Sequence, residues 1–226
     1  MGKNPKADEV KKIIFKKYPK CKLLQIESLI KFNVYRAENN VDSMIVIHDL
    51  FKQNFFSDDP NSNYVLYESF MMSMIASAYA QKKQYDKFLQ YSSLLPKETR
   101  ANEYNEVAKT LLLSGQLPLL ADSLATVSKF LKQDAVDHSE ETRLGYYSPN
   151  EWKRMQQKSS DFMLDTYAMI LAKKGDYKEA LYYQKKSFDA SKGVIADVNE
   201  RYAEYLIKTG DYVTALNKLE KFIEDG

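Results

Sequence analysis

The sequence predicts an all-α protein, an α-solenoid of about eleven antiparallel helices, and three observations lead to this prediction. The motif Gly-Asp-Tyr-x-x-Ala-Leu occurs twice, beginning at Gly175 and at Gly210, which are 35 residues apart. Apolar residues on both sides of each glycine recur every three or four positions, as on one face of a helix. The chain has only 7 Gly and 6 Pro, which is few for a β protein with many special turns.

Each copy of the motif is typical of a junction between two helices. Gly210 can take the left-handed conformation that ends one helix, and Asp211 can accept hydrogen bonds from the exposed N–H groups of the next. The small side chain of Ala215 lets the two helices approach closely. Gly175 begins the same arrangement one period earlier, with Ala180 as the small residue. We therefore predict two regular helical hairpins in this part of the chain.

The same period can be followed toward the N-terminus in a degraded form. Ala108 precedes Gly115 by seven residues, as Ala168 precedes Gly175, and Pro118 falls in the first turn of the next predicted helix. One unit earlier, Lys83 occupies the glycine position. The pattern resembles the tetratricopeptide repeat, whose period is about 34 residues.

The remaining segments complete the predicted organisation. We expect N-terminal helices over 8–18, 22–38 and 41–56, a turn cluster at 57–63 and a helix that includes 64–80. The step from Gly115 to Gly175 is 60 residues, too long for one repeat. We therefore predict a single helical-repeat domain over 1–226, with N-terminal helices in 1–60, two degraded hairpins in 61–134, an insertion loop at 135–150 and two regular hairpins in 151–226.

Charge and hydropathy show no overall preference of the chain for one class of partner. The net charge is +2, so no global field favours nucleic acid or a membrane. Residues 1–20 nevertheless carry about +5 and the remainder about −3. The basic first helix could touch an acidic surface, or it could be a solvated terminal helix. No apolar run is long enough to span a bilayer, and we expect no membrane insertion and no signal peptide within these residues.

The residue types that carry chemistry are sparse. The single Cys21 excludes an internal disulfide and a Cys-x-x-Cys site. His48 is expected at the edge of the core, whereas His138 beside acidic residues could hold a hard cation, although no calcium-loop pattern is present. There is no phosphate-binding loop and no nucleophile motif. We predict no enzyme activity, no cofactor and no metal.

The candidate partner-binding residues follow from the period. Repeats of this type usually bind along the inner face of each first helix. Counting back ten, six and two residues from the turn gives Asn105, Lys109, Leu113, Asp165, Met169, Lys173, Glu200, Glu204 and Lys208. Three of these, Asp165, Glu200 and Glu204, would repel the C-terminal carboxylate of a partner peptide, which disfavours that kind of ligand.

Aromatic residues form a second group of candidates. Seven of the 17 tyrosines fall at core positions of the period, so packing explains them: Tyr79, Tyr85, Tyr167, Tyr177, Tyr202, Tyr205 and Tyr212. Tyr146, Tyr147 and Trp152 do not fit the period. They are either contact residues for a partner or residues that fold the insertion back onto its own helices.

The segments "NEYNEVAKTLLLSGQL", "MLDTYAMILAKKGDYKEALYYQKKSF" and "VNERYAEYLIKTGDYVTALNKLEKFIEDG" together resemble a known helical region. This is the segment that precedes the thioredoxin domain in TlpA-like bacterial thiol–disulfide oxidoreductases. The resemblance implies a cell-envelope or periplasmic setting and an attached C-terminal thioredoxin domain. It implies no catalytic residue here, because in that family catalysis belongs to a Cys-x-x-Cys domain.

Three function hypotheses follow. The first is a non-catalytic protein-protein interaction module, the N-terminal region of a periplasmic thioredoxin-like protein. The second is a stand-alone cytoplasmic adaptor that binds a partner peptide or helix. The third, less favoured, is an enzyme that uses the acidic insertion with a metal ion.

Overall fold

A computed structural model describes residues 5–18, 20–55 and 63–225, apart from the side chains at 5, 7, 8 and 221–225. The regular secondary structure of these residues is entirely helical: α1 (Pro5–Lys17), α2 (Lys22–Ala37), α3 (Val41–Phe55), α4 (Asn63–Gln81), α5 (Tyr85–Ser93), α6 (Lys97–Ser114), α7 (Pro118–Asp137), α8 (Pro149–Lys173), α9 (Tyr177–Ser191), α10 (Ala196–Lys208), α11 (Tyr212–Asp225) and one short 3-10 helix, Ser139–Thr142. The all-α class and the number of helices are confirmed. The boundary predicted at residue 60 and most of the turn predicted at 57–63 lie outside the described residues.

The chain divides into two compact units, Met1–Pro96 and Lys97–Gly226. The first unit contains α1–α5 and the second contains α6–α11. The division falls within the range 61–134 assigned from sequence to two degraded hairpins. The single domain predicted over the whole chain stays a prediction.

In the first unit, α2, α3, α4 and α5 pack in succession around a core of large side chains. Phe32, Phe51, Met71 and Ile75 are completely buried. The ring of Phe51 stacks on Tyr64 with 5.0 Å between the centroids, and the Tyr64 hydroxyl donates to the Phe51 carbonyl oxygen at 3.2 Å. Burial raises the pKa of Tyr64 to about 12, so this phenol keeps its proton at physiological pH.

In the second unit, each helix from α6 to α11 packs against the next, and α6 also contacts α8. Ala180 and Ala215, the small residues of the two motif copies, are fully buried. Ala180 lies in a cluster with Ala168 and Tyr205, and Ala215 lies against Tyr202. The predicted close approach of the helices at these alanines is confirmed.

The turns show the predicted backbone. The four positions of the sequence period all have positive φ, namely Lys83 (+57°), Gly115 (+67°), Gly175 (+84°) and Gly210 (+89°). The Asp211 carboxylate accepts from the Thr214 N–H at 3.2 Å, and Asp176 caps α9 in the same way. A lysine at positive φ costs about 1 kcal/mol relative to glycine, so Lys83 preserves the turn at some expense in stability.

The segment between Gly115 and Gly175 contains more helix than expected. Helix α7 continues through Asp137, beyond the predicted start of the insertion at 135, because Val136 extends its buried face. Helix α8 begins after Ser148, the predicted cap. The Ser148 hydroxyl accepts from the Glu151 N–H at 3.3 Å, and the Glu151 carboxylate accepts from the Ser148 N–H at 3.1 Å, which completes a capping box.

One packing prediction is wrong. Tyr212 was expected in the core, but it is 66% exposed, and Leu216 is 57% exposed. Both residues lie beside the buried Ala215 around the helix, at spacings of three residues and of one residue. Among the described residues, α11 packs mainly against α10, so the sides of α11 turned away from α10 are open to solvent.

Candidate functional site

A groove of about 790 Å³ lies in the second unit between α6, α8 and the start of α10. It is within the usual size range of binding pockets, about 300 to 1,000 Å³. The side chains that line it come from the first helices of three successive hairpins: Asn102, Asn105, Glu106, Lys109, Met155, Lys158, Ser159, Phe162, Met163, Asp165, Thr166, Ile195 and Val198.

The groove combines solvent-exposed apolar groups with a few polar ones. Met155 is 45% exposed and Phe162 is 46% exposed, although both lie on a helix that also buries Gln156, Ser160 and Leu164. Lys109 and Lys158 contribute cationic groups to the lining. Apolar surface with a small number of polar groups is the usual composition of a binding site.

Three residues selected from the sequence period converge on this groove. Asn105 and Lys109 come from α6 and Asp165 comes from α8. Asn105 and Asp165 are buried, and Lys109 is half-buried. On α6, the residues ten and six positions before Gly115 therefore face the groove. On α8, only the residue ten positions before Gly175 does so.

The other period-derived candidates lie outside the lining. Met169 is buried in α8, and the Lys173 ammonium donates to the Leu112 carbonyl oxygen at 2.6 Å, which ties α8 to α6. Four more are exposed: Leu113, Glu200, Glu204 and Lys208. The groove is therefore shorter than the predicted inner face.

The electrostatic argument from Asp165 does not hold, because this carboxylate is paired. Arg201 donates from Nε to Oδ1 at 2.8 Å and from Nη2 to Oδ2 at 2.7 Å. Gln184 also donates to Oδ1 at 2.8 Å and to the Val198 carbonyl oxygen at 3.1 Å. A bidentate guanidinium neutralises a carboxylate, so Asp165 would not repel an anionic partner. The exposed Glu200 lies outside the groove lining.

A second buried charge lies behind the groove wall. Lys132 of α7 is 3% exposed, and its ammonium donates to the Ser159 hydroxyl at 3.3 Å and lies 3.6 Å from Oε1 of Glu98. Burial lowers the pKa of Lys132, and the Glu98 carboxylate opposes that effect. Its ammonium therefore supports the groove through Ser159 without lining it.

Sequence reasoning missed Arg201, Lys132 and Phe162. A carboxylate within the apolar run "FMLDTYAMILA" could have indicated a buried partner for Asp165. Lys132 follows the buried Ser128 by four residues, so the helical period itself places it on the buried face of α7. Phe162 carries no such signal, because the period does not distinguish a groove from open solvent.

The aromatic residues of the insertion form their own cluster. The ring centroids of Tyr147 and Trp152 are 5.5 Å apart, and those of Tyr146 and Tyr147 are 4.7 Å apart. Trp152 Nε1 donates to the Thr142 hydroxyl at 3.4 Å, and Arg143 donates to the Tyr147 carbonyl oxygen at 2.9 Å. Tyr147 and Trp152 thus fold the insertion onto the start of α8, whereas Tyr146 remains 77% exposed.

The two histidines, His48 and His138, have different surroundings. His48 is 5% exposed and its Nδ1 lies 3.1 Å from the Asp49 carboxylate. His138 is exposed, and Nδ1 lies 3.0 Å from the Asp134 carbonyl oxygen. This contact and the Asp134 carboxylate raise the pKa of His138. Within the described ranges, no three His, Cys, Asp or Glu side chains group as they would around a metal ion.

Comparison of the chain with protein-family models, with curated proteins and with solved structures finds no match. None of the helices in the described part of the chain combines the length and the apolar character needed to cross a membrane.

Proposed function

We propose that the chain is a TPR-like α-solenoid that binds a segment of a partner protein in the groove between α6, α8 and α10, without catalysis. One observation carries this proposal: the first helices of three successive hairpins line one groove, in which Met155 and Phe162 are exposed. The successive packing of the helices and the shared left-handed turns support a solenoid.

The lining favours a polypeptide ligand. Methionine side chains such as Met155 and Met163 adapt to different apolar groups and are common at peptide-binding surfaces. The amides of Asn102 and Asn105 offer donors and acceptors for a peptide backbone. With Asp165 paired, Lys109 and Lys158 outnumber Glu106 in the lining, which favours a ligand with an acidic residue beside its apolar ones.

The chemistry of the groove supports a non-catalytic role. Ser159 and Lys132 resemble a nucleophile and its base, because their polar atoms lie 3.3 Å apart. However, Ser159 lies in the middle of α8, where the neighbouring backbone N–H groups serve the helix. They cannot also form the backbone oxyanion hole that often stabilises acyl transfer.

The setting is part of the same proposal. The resemblance to TlpA-like proteins favours a module that acts beside a thioredoxin domain in the cell envelope, and the alternative is a stand-alone cytoplasmic adaptor. The open reading frame on both sides of the chain distinguishes them. A signal peptide upstream and a Cys-x-x-Cys domain downstream would support the first, and a stop codon after Gly226 would remove it.

Selection of random peptides displayed on phage tests the binding function. We expect the chain to enrich peptides in which apolar residues flank an acidic one. Phe162→Asp should weaken binding of a selected synthetic peptide by about tenfold or more, since a central apolar contact is worth about 2 kcal/mol.

Phe130→Asp is the matched control, because Phe130 is 62% exposed on α7 and does not line the groove. It should leave peptide affinity unchanged. If no peptide is enriched, or if both variants bind the selected peptide as well as the unaltered chain does, the proposed groove is wrong.

A further inference from the structure

Helix α1 presents a basic face that the groove does not use. Lys6, Val10, Ile13 and Lys17 follow one another at spacings of four, three and four residues, so they lie on one side of the helix. All four are exposed, with Val10 at 54% and Ile13 at 62%. Lys16 is exposed as well.

The opposite side of α1 faces the rest of the first unit. Lys11, Ile14 and Phe15 are half-buried, and the Lys11 ammonium forms a salt bridge with Glu27 of α2. The lysine-rich side of α1, with Val10 and Ile13, is open to solvent. The basic stretch continues beyond the helix with the exposed Lys20.

The charge around this face is strongly positive. Residues 1–20 contain seven Lys and two acidic residues, of which Glu9 is exposed on α1. The rest of the chain is net negative. Helix α1 itself contains five Lys, one Asp and one Glu, a net charge of +3.

We propose that α1 docks the first unit reversibly onto an anionic lipid surface. Lysines beside exposed branched apolar residues are typical of helices that lie in the interface of a bilayer. The ammonium groups would contact lipid phosphates while Val10 and Ile13 enter the acyl boundary. Tyr18 is 55% exposed, with the Lys17 ammonium 5.5 Å from its ring centroid, and tyrosine is favoured at such interfaces.

The same lysines could attract nucleic acid, but the apolar residues argue against it. Val10 and Ile13 contribute nothing to phosphate contacts, and single-stranded nucleic acid is usually bound by several stacking aromatic rings. Tyr18 is the only aromatic residue that is mostly exposed along α1 and its immediate C-terminal end in the described residues. A lipid surface uses both the charge and the apolar groups.

Vesicle co-sedimentation with the full chain tests the proposal. We expect binding to vesicles of phosphatidylcholine mixed with phosphatidylglycerol, less binding at high salt, and none to phosphatidylcholine alone. Replacement of Lys6, Lys16, Lys17 and Lys20 by Gln should weaken binding by about tenfold or more. The double variant Val10→Gln/Ile13→Gln should weaken it several-fold without changing the net charge.

The matched control replaces four exposed lysines elsewhere, Lys82, Lys153, Lys178 and Lys192, by Gln. It loses the same charge and should retain most of the binding. Circular dichroism confirms that each variant keeps its helix content. The proposal is overturned if the chain does not sediment with anionic vesicles, if both lysine variants lose binding equally, if the apolar double variant binds normally, or if oligonucleotides bind and vesicles do not.

Discussion

Two buried charges near the groove differ in how well they are paired. Asp165 on α8 is 5% exposed, and its two oxygens accept three hydrogen bonds, two from Arg201 and one from Gln184, all between 2.7 and 2.8 Å. Arg201 belongs to the next hairpin, 36 residues further along the chain. The pair therefore joins the first helices of two hairpins beside the groove.

Lys132 on α7 is buried to the same extent, at 3% exposed, with weaker partners. Its ammonium is 3.3 Å from the Ser159 hydroxyl and 3.6 Å from Glu98, whose side chain is 53% exposed. Since burying a charge is unfavourable until hydrogen bonds and a counter-charge compensate it, we expect Asp165 to stabilise the native packing and Lys132 to oppose it.

The largest expected effect comes from breaking the better pair. Arg201→Met leaves the Asp165 carboxylate buried without its guanidinium, and the free energy of unfolding should fall by about 3 kcal/mol. Urea denaturation followed by circular dichroism measures this change. The same variant should weaken binding of a groove-selected peptide, because α8 and α10 lose the contact that fixes their separation.

The double variant Asp165→Asn/Arg201→Met separates the pair from general packing. The asparagine keeps an oxygen that can accept from Gln184 and carries no charge, so more than half of the lost stability should return. If the double variant is as unstable as Arg201→Met, then the guanidinium acts through its packing and not through the carboxylate.

Removal of the Lys132 charge should change stability in the opposite direction. Lys132→Met keeps an unbranched apolar chain and removes the buried ammonium, so the free energy of unfolding at neutral pH should rise by about 1 kcal/mol. A decrease in stability at neutral pH would show that the contacts with Ser159 and Glu98 compensate the burial of this charge.

The pH dependence follows from the lowered pKa of Lys132. The unfolded chain holds the lysine proton more tightly than the folded chain, so the native state gains stability as the pH rises through the lowered pKa toward 10.5, the ordinary value. At pH values below the lowered pKa, the folded chain bears the full cost of burying the charged Lys132 ammonium. The advantage of Lys132→Met should therefore be largest at neutral pH and should shrink toward about pH 10.

The groove could be predicted from the sequence only in part. Counting back from Gly115 and Gly175 places Asn105, Lys109 and Asp165 on the same side of their helices, because the helical period fixes which residues share a face. The same count misses Arg201, which lies one residue after the equivalent position. Which side chain of one helix reaches a neighbouring helix depends on how the two cross, and the period of one helix does not contain that information.

The fold was easier to predict from the sequence than the site was, because the turns of the fold depend on local chemistry. A glycine with positive φ followed by a capping Asp is visible in the sequence at Gly210, and the structure has both features. The exposure of Tyr212 could not be predicted from the sequence in the same way. A core position is buried only if another element covers it, and no local pattern states whether one does.

The smallest expected effect completes the comparison. Glu98→Gln removes the only charged group found within salt-bridge distance of Lys132 among the described residues, and the free energy of unfolding should fall by about 0.5 kcal/mol. Burial then lowers the pKa of Lys132 without opposition from Glu98, so the rise in stability with pH should begin at a lower pH.

Glu98 also lies in the first turn of α6, where a negative charge interacts favourably with the helix N-terminus. The same substitution in the Lys132→Met background measures that contribution alone, and the difference between the two backgrounds is the energy of the pair. We expect this difference to be smaller than the coupling between Asp165 and Arg201 by about 2 kcal/mol. Equal couplings would contradict the comparison, because they would mean that a half-exposed carboxylate at 3.6 Å compensates a buried charge as well as a bidentate guanidinium does.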